Sequence, residues 1–322
     1  MKIFFIGIYD DNEPNTAFRN AFRRVSTEYK ELSWISCKDT DARHEEIIHY
    51  IKGWNPDIVF MQLQGANILK DETITALKGT GAFVIQWTGD ARQPLPSHYA
   101  ELGKKIDLSL FTNRYDVMEM RKSGCNADYL QVSADHDIYN SKGSIDIKCP
   151  EIVFMGNHYQ DKFELSSYRM EMVKFLKEIY GDNFGLYGSW PNGMAAENIM
   201  FNQEKEAEVY RSCKIAINCS HYDLKSYTSD RFFRILLSGT FCLSKQFPQM
   251  EEFKPDVNFV AYDGTFVDLK DKIDHYLKNE EERKQIAANG YEKATHNWTW
   301  YNRIDELLNL INDKYKKNEL DI

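Results

Sequence analysis

The stretch that decides the fold reads Ser229-Asp230-Arg231-Phe232-Phe233-Arg234-Ile235-Leu236-Leu237-Ser238-Gly239-Thr240-Phe241-Cys242-Leu243-Ser244. It predicts a helix that is capped by Ser229, ends at Gly239 and leads into an apolar strand. A helix N-terminus favours anions because its first N–H groups are unpaired and its dipole is positive there. Arg231 and Arg234 lie three residues apart, so we expect them to share a face and bind one phosphate-bearing ligand. Solvated arginines on an ordinary amphipathic helix have the same spacing.

The bulk composition predicts a globular protein of two domains. The chain has 322 residues, 43% hydrophobic and 28% charged, with a net charge of -9, which argues against a surface coated in positive charge for nucleic acids. The apolar run at Met1–Ile8 is too short for a signal peptide or a membrane span. Scattered cysteines without a Cys-x-x-Cys pair favour a reduced, cytoplasmic protein without a zinc site.

Strand and helix signals alternate along the whole chain. In the first half, apolar runs predict strands at Lys2–Ile8, Ile58–Leu63, Phe83–Trp87, Leu108–Phe111 and Tyr129–Val132. In the second half, they predict strands at Glu151–Met155, Phe184–Tyr187, Lys214–Asn218, Thr240–Ser244 and Asn258–Tyr262. Helical patterns lie between them, the first at Thr16–Tyr29, and the polar segment Ser133–Pro150 is the predicted linker. This alternation predicts an α/β protein with two parallel, doubly wound sheets in tandem.

One carboxylate is placed for catalysis. Asp90 follows the predicted strand Phe83–Trp87, next to Gly89 and before Arg92. A carboxylate at the carboxyl end of a central strand suits a general base that faces a ligand crevice. A turn aspartate bonded to its own backbone is the alternative.

Several loops at the carboxyl ends of the second set of strands carry candidate ligand-binding residues. Strand ends open at Gly156-Asn157 and at Tyr187-Gly188, and Lys162 and Arg169 follow the first of these. Glu251 follows the strand after the opening motif, where an acid can accept hydrogen bonds from sugar hydroxyls. Since these loops share one edge of a parallel sheet, we expect them to lie around a single ligand.

Metal and dinucleotide sites have little support. The pairs Asp39/Asp41 and Asp135/Asp137 have the Asp-x-Asp spacing that can bind a divalent ion, but the first precedes a predicted helix and the second lies in the linker. His44 and His49 are five apart and face different sides of a helix, unlike zinc-protease histidines. A Gly-x-Gly-x-x-Gly pattern does not follow the first strand. We expect no metal and no cofactor.

The ordered loops resemble those of the CgeB-like and group-1-like glycosyltransferases of GT-B architecture. The matching signatures of the second half are Val153–Asn157, Tyr168-Arg169, Leu186–Gly188, Val209–Asn218, Ser229–Ser244, Met250-Glu251 and His296–Trp300. The first half matches mainly in rhythm, at Trp87–Asp90 and at Ser133–Asp135.

The resemblance implies two Rossmann-like domains facing across a cleft in which catalysis takes place. Residues 1–140 would bind the acceptor and residues 141–322 the donor, with a terminal helix at about residues 300–317 packing back toward the first domain. The donor would be a nucleoside diphosphate sugar, used as a co-substrate without an obligatory metal. The implied donor-binding residues are Gly156, Asn157, Lys162, Arg169, Tyr187, Gly188, Asn218, Ser229, Arg231, Arg234 and Glu251.

Arg234 departs from the family pattern. Many relatives have glutamate there, in a pattern resembling Ser-x-Arg-x-Phe-Glu, and that glutamate is credited with contacting the donor. An arginine cannot accept those hydrogen bonds, so donor choice is expected to be unusual in this chain.

The leading prediction is an active hexosyl- or pentosyltransferase that moves a sugar to a saccharide, a protein or a modified DNA base. A phage-type enzyme acting on hydroxymethylated bases would need a basic groove in the first domain. Its candidates are Arg19, Arg23, Arg24 and Lys30, although a solvated helix face explains them better. A catalytically silent binding or structural protein with the same fold is the alternative of a different class.

Overall fold

The computed structural model describes residues 1–11, 15–195, 202–248 and 254–315. These residues form two compact units. Unit 1 comprises residues 1–132 together with the described residues from Arg303 on, and unit 2 comprises Ser133–Asn302. Glu251, predicted to bind the donor, lies outside the described residues. Among the described residues, none of the helices combines the length and hydrophobicity needed to cross a bilayer.

Unit 1 is built on a parallel sheet. Its strands are β1 (Lys2–Gly7), β2 (Glu28–Ser33), β3 (Ile58–Gln62), β4 (Phe83–Thr88), β5 (Leu108–Phe111) and β6 (Ala127–Tyr129). They pair in the order β2-β1-β3-β4-β5-β6. Its helices are α1 (Thr16–Val25), α2 (Thr40–Ile51), α3 (Asp71–Gly79), α4 (Ser97–Gly103) and α5 (Arg114–Lys122). The residues of β3 and β5 are all buried, as expected for strands covered by helices on both faces.

Strand β2 replaces the end of a predicted helix. The pattern at Thr16–Tyr29 predicted one helix, but α1 ends at Val25 and β2 pairs with β1 from Glu28 onward. The strand is an edge strand with the polar sequence EYKELS, so it lacks the apolar run that marks the central strands. Its Glu31 accepts hydrogen bonds from Arg19 and Arg23 of α1, which joins the helix to the edge.

Unit 2 repeats the plan with a second parallel sheet. Its strands are β7 (Ile152–Met155), β8 (Phe184–Tyr187), β9 (Ile215–Asn218), β10 (Phe241–Lys245) and β11 (Val260–Tyr262), in the order β11-β10-β9-β7-β8. Its helices are α6 (Ser166–Tyr180), α7 (Gln203–Ser212), α8 (Asp230–Leu237), α9 (Phe266–Lys278) and α10 (Glu280–Asn297). The prediction of two parallel, doubly wound α/β sheets is confirmed.

The last helix runs from unit 2 into unit 1. Helix α11 (Trp300–Leu310) is followed by a π-helical turn at Ile311–Tyr315. Within unit 1, Arg24 donates to Asp305 at 2.6 Å and Lys314 donates to Asp128 at 2.8 Å. Short 3₁₀ turns lie elsewhere, at Trp34–Ser36, Gly181–Asn183 and Pro191–Gly193.

The predicted linker Ser133–Pro150 is packed at its start. Ser133, Ala134 and Tyr139 are buried. The Tyr139 hydroxyl donates to Glu206 at 2.9 Å, which ties this segment to α7. Residues 133–135 and Tyr139 of the predicted linker are therefore packed into unit 2, whereas residues 141–146 are exposed. Polar residues alone did not reveal this, because the buried ones satisfy their hydrogen bonds inside the unit.

Candidate functional site

The carboxyl edge of the unit 2 sheet brings the predicted loops together. Gly156 directly follows β7, and its N–H donates to the carbonyl of Tyr187, the last residue of β8, at 3.0 Å. Gly188 has φ +117°, and a Cβ built there lies 2.4 Å from the carbonyl oxygen of Gly156. Only glycine fits such a contact. The two loops therefore pack backbone against backbone at this edge of the sheet.

Two arginines from different helices meet at Gly156. Arg169 lies in the first turn of α6 and Arg231 in the first turn of α8. Each places Nη2 2.7 Å from the position that a Gly156 Cβ would occupy. Both guanidinium carbons lie 5.2 Å from the ring centre of Phe154, so the aromatic ring attracts both cations.

The two guanidinium groups lack a carboxylate partner within the described part of the chain. Arg231 donates to the carbonyls of Met155 and Cys219, and its Nη1 lies 3.3 Å from the Ser229 hydroxyl. Arg169 contacts the ring of His221, while its Nε and Nη2 have no hydrogen-bond partner among the described residues. Burying a charge without a counter-charge is costly. Such a pair is therefore suited to an anion that the protein itself does not supply.

Electrostatics at the pair follow from burial. Burial, and then the neighbouring charge of Arg231, lowers the pKa of Arg169 to about 9, so the group is charged at neutral pH. Burial, and then the charges of Arg169 and Arg231, lowers the pKa of His221 to about 2. His221 is therefore neutral and offers Arg169 a lone pair rather than a charge.

The N-terminus of α8 lies in the same place. Ser229 is the N-cap residue, as predicted, but its side chain makes no capping hydrogen bond. Its hydroxyl lies 3.3 Å from Oδ1 of Asn218, whose amide in turn donates to Thr228 and Ser244. Asn218 is fully buried and its amide is occupied, so it positions the turn before α8. The N–H groups of the first turn stay without a side-chain cap, a favourable setting for an anion.

Among the residues described, Arg234 is paired with two carboxylates, unlike Arg231. Its Nη1 donates to Glu206 at 2.8 Å and its Nη2 to Asp230 at 2.5 Å, and Cζ lies 5.3 Å from the ring centre of Tyr139. These ion pairs give no support to the prediction that both arginines bind one phosphate, which stays a prediction. Helical spacing determines the face on which a side chain lies, but it does not determine its partner. The carboxylate of Glu206 on α7 neutralises the charge of Arg234.

The remaining predicted residues surround the arginine pair or its loop. Asn157 accepts a hydrogen bond from the N–H of Ser189 at 2.8 Å, which joins the loops after β7 and β8. Tyr187 is buried at the end of β8. Lys162 is exposed, with Nζ 5.4 Å from the ring centre of Phe163. The donor-binding roles of all these residues stay predictions.

The sequence pattern did not predict that aromatic residues lie beside the arginines. A small cleft is lined by Asn157, His158, Tyr159, Ser166, Arg169, Trp190 and His221. Trp190 donates to the carbonyl of Gly156 at 2.6 Å, and its ring lies 5.3 Å from that of His158. Their place just after strands β7, β8 and β9 was the available signal, since loops at that edge carry ligands in α/β sheets.

Asp90 lies at the carboxyl edge of the other sheet, in unit 1. Its carboxylate accepts a hydrogen bond from Arg92 at 2.9 Å, and about half of its side chain is exposed, 49%. Its N–H lies 3.4 Å from the Thr88 hydroxyl, the contact of a turn. This contact involves the backbone N–H of Asp90, whereas the carboxylate accepts from Arg92 and stays accessible, as a general base requires. The catalytic role of Asp90 stays a prediction.

The Asp-x-Asp pairs have structural roles. Asp39 accepts a hydrogen bond from the N–H of Ala42 and caps α2. Asp135 accepts from the N–H of Asp137 at 3.1 Å, which closes a turn. Over the residues that the structure describes, histidine, cysteine and carboxylate side chains do not form a group of three or more able to bind a metal ion.

Comparison with known proteins defines the class. Residues 169–309, which include Arg169 and Arg231, match a family described as glycosyl transferase-like. No curated protein matched the chain.

Solved structures share the fold over nearly the whole chain. A glycosyltransferase from Rickettsia africae has a TM-score of 0.67 and 10% identity, covering 100% of this chain and 99% of its own. Anabaena HepE in complex with UDP has a TM-score of 0.64 and 8% identity, covering 97% and 100%. Sucrose-phosphate synthase from Thermosynechococcus elongatus has a TM-score of 0.65 and 9% identity, covering 98% and 100%.

These findings confirm the GT-B fold, and the family match confirms the predicted class, a glycosyltransferase. Membership of the CgeB-like subfamily stays a prediction.

Proposed function

We propose that the protein transfers a sugar from a nucleoside diphosphate sugar, and that the diphosphate binds at Arg169, Arg231 and the N-terminus of α8. The supporting observation is that two buried guanidinium groups meet at Gly156 without a carboxylate. A diphosphate supplies the missing negative charge and several acceptor oxygens. Charge-assisted hydrogen bonds of this kind are among the strongest in proteins.

The same groups suit the chemistry of sugar transfer. Cleavage of the bond between the sugar and the diphosphate leaves negative charge on the departing phosphate oxygen. Arginines and helix N–H groups aimed at that oxygen stabilise the charge as it develops. This arrangement replaces the cation that other enzymes use, so we propose a reaction without an obligatory metal.

Asp90 is the proposed general base, in the role of accepting the proton of the acceptor hydroxyl. Its exposed carboxylate supports this role. A DNA acceptor has less support, because its candidate basic residues are paired within unit 1. Arg19 and Arg23 donate to Glu31, and Arg24 donates to Asp305. We therefore favour a saccharide or protein acceptor, and a cytoplasmic location stays a prediction.

Calorimetry and thermal shift with UDP, GDP and TDP sugars test the donor. Because a ligand that binds only the native state stabilises it, the true donor should raise the melting temperature with increasing concentration. HepE was solved with UDP, which makes UDP and UDP-sugars the first ligands to try. Release of nucleoside diphosphate in the presence of EDTA tests metal independence. A silent protein would bind a donor without turnover, and absence of both binding and turnover with every donor would contradict the proposal.

A further inference from the structure

The aromatic cleft beside the arginine pair contains a ring that is only partly covered by its neighbours. Tyr159 is 44% exposed and lies on the loop between β7 and α6, where it lines the cleft. Exposed large aromatic side chains in a cleft are typical of ligand contacts. The neighbouring loop residue Phe163 is half-buried.

Contacts on the loop fix the position of this ring. Its centre lies 5.3 Å from that of Phe163, at an interplanar angle of 80°, and 5.2 Å from that of His221, at 65°. The Asn157 amide lies 3.4 Å from the tyrosine hydroxyl. Edge contacts of this kind hold the ring while part of its surface stays open to a ligand.

The ring is also next to the arginine pair. Tyr159 packs on His221, and His221 contacts the guanidinium of Arg169. A ligand that spans both features carries an anionic part and a flat aromatic part, which is the chemistry of a nucleotide. Stacking of a nucleobase on an aromatic side chain does not depend strongly on base identity, since every base has a π-face.

We propose that Tyr159 is the stacking platform for the nucleobase of the donor. This proposal rests on the proposed function, because it assumes that the arginine pair binds the diphosphate. It adds a residue that contributes to affinity for nucleotides and contributes nothing to affinity for the phosphates alone.

Binding of two ligands to matched variants tests the platform. Inorganic pyrophosphate probes the arginine pair alone, and the tightest binder among UDP, GDP, ADP, CDP and TDP probes both parts. Tyr159→Ala should weaken the nucleoside diphosphate about tenfold and leave pyrophosphate affinity within about twofold. Tyr159→Phe keeps the ring and should retain nucleotide affinity. The control is Tyr115→Ala, which removes an exposed tyrosine of unit 1 and should leave the affinity for both ligands unchanged. Circular dichroism checks that each variant is folded.

The outcomes separate the two proposals. A wild-type protein that binds neither pyrophosphate nor any nucleotide contradicts the proposed function itself. If the wild type binds nucleotides but Tyr159→Ala leaves their affinity unchanged, the platform is overturned and the function stands. Equal losses for nucleotide and pyrophosphate would also overturn it, because they would assign Tyr159 to the phosphate site.

Discussion

The carboxyl edges of the two parallel sheets have the same topology and opposite charge balance. In unit 1, Asp90 pairs with Arg92, and the buried Asp116 accepts hydrogen bonds from Asn113 and Gln93. In unit 2, two buried guanidinium groups meet with neutral partners only, among the described residues. Burying unpaired charge is costly, so it is retained where a ligand supplies the counter-charge. Charge pairing, rather than topology, thus distinguishes the two edges, and the edge of unit 2 is the one at which we propose an anion site.

A side chain added at the crowded edge of unit 2 should lower the free energy of unfolding more than any other change proposed here. Gly188→Ala places a Cβ 2.4 Å from the Gly156 carbonyl oxygen at φ +117°, and we expect a loss of about 4 kcal/mol in the free energy of unfolding. Gly65→Ala is the control at the unit 1 edge, where the nearest atom, of Ile68, lies 3.6 Å away; it should cost less than about 1 kcal/mol. Urea unfolding measures both, and equal costs would mean that the edges are equally tolerant.

The buried Asp116 of unit 1 should make the stability of the protein depend on pH. Burial raises its pKa to about 6, against the hydrogen bonds from Asn113 and Gln93 that lower it. The folded state therefore holds this proton at pH values where the unfolded chain has lost it. Stability falls as pH rises from about 4 to 6, by about 3 kcal/mol for a shift of about two pKa units. The Asp116→Asn variant has no carboxyl group to titrate at this position. Its unfolding free energy minus that of the wild type should therefore grow between about pH 4 and pH 6. A constant difference would rule out the raised pKa.

Removal of one cation tests the unpaired charge of unit 2. Arg169→Met removes the buried guanidinium with unsatisfied nitrogens, and it should raise the unfolding free energy of the free protein by about 1–2 kcal/mol. It should also abolish the thermal shift caused by nucleoside diphosphate. Arg283→Met is the matched control, a buried arginine that donates to the Tyr276 carbonyl at 2.7 Å. That variant should lose stability and keep ligand binding. Destabilisation by both variants would show that Arg169 is an ordinary structural arginine.

The exposed pair of unit 1 gives the smallest stability effect. Asp90→Asn breaks the contact with Arg92, and because both side chains are partly exposed, the unfolding free energy should change by less than about 0.5 kcal/mol. If Asp90 is the base, sugar transfer should slow at least about 100-fold with unchanged donor affinity. Arg92→Gln breaks the same pair but keeps the carboxylate, so it should retain most turnover. Wild-type transfer by Asp90→Asn would remove it from the mechanism.

The fold was predictable because buried parallel strands are apolar along their length. The runs that predicted β7 to β10 lie within one or two residues of the observed strands. Strand β2 was not predictable in this way, since an edge strand has one side open and its polar sequence resembles the end of a helix.

The site was predictable as far as strand ends determine it. Gly156, Arg169 and Arg231 were predicted to lie around one ligand, and the structure places them in contact. The ion pairs of Arg234 were not predicted. Asp230 lies four residues earlier on the same helix, whereas Glu206 lies on another helix, 28 residues earlier in the chain, and local spacing carries no information about such a pair. Tyr159 and His221 were missed because aromatic residues in loops have no periodic pattern.

Phe154 has a further consequence for what can compete with an anion bound at the arginine pair. The ring lies 5.2 Å from both guanidinium carbons and attracts the cations without occupying their hydrogen-bond donors. Phe154 is also part of the apolar core of unit 2, where a carboxylate would be buried at a high cost. Because a ring rather than an acid lies at this position, an incoming anion meets no tethered competitor there.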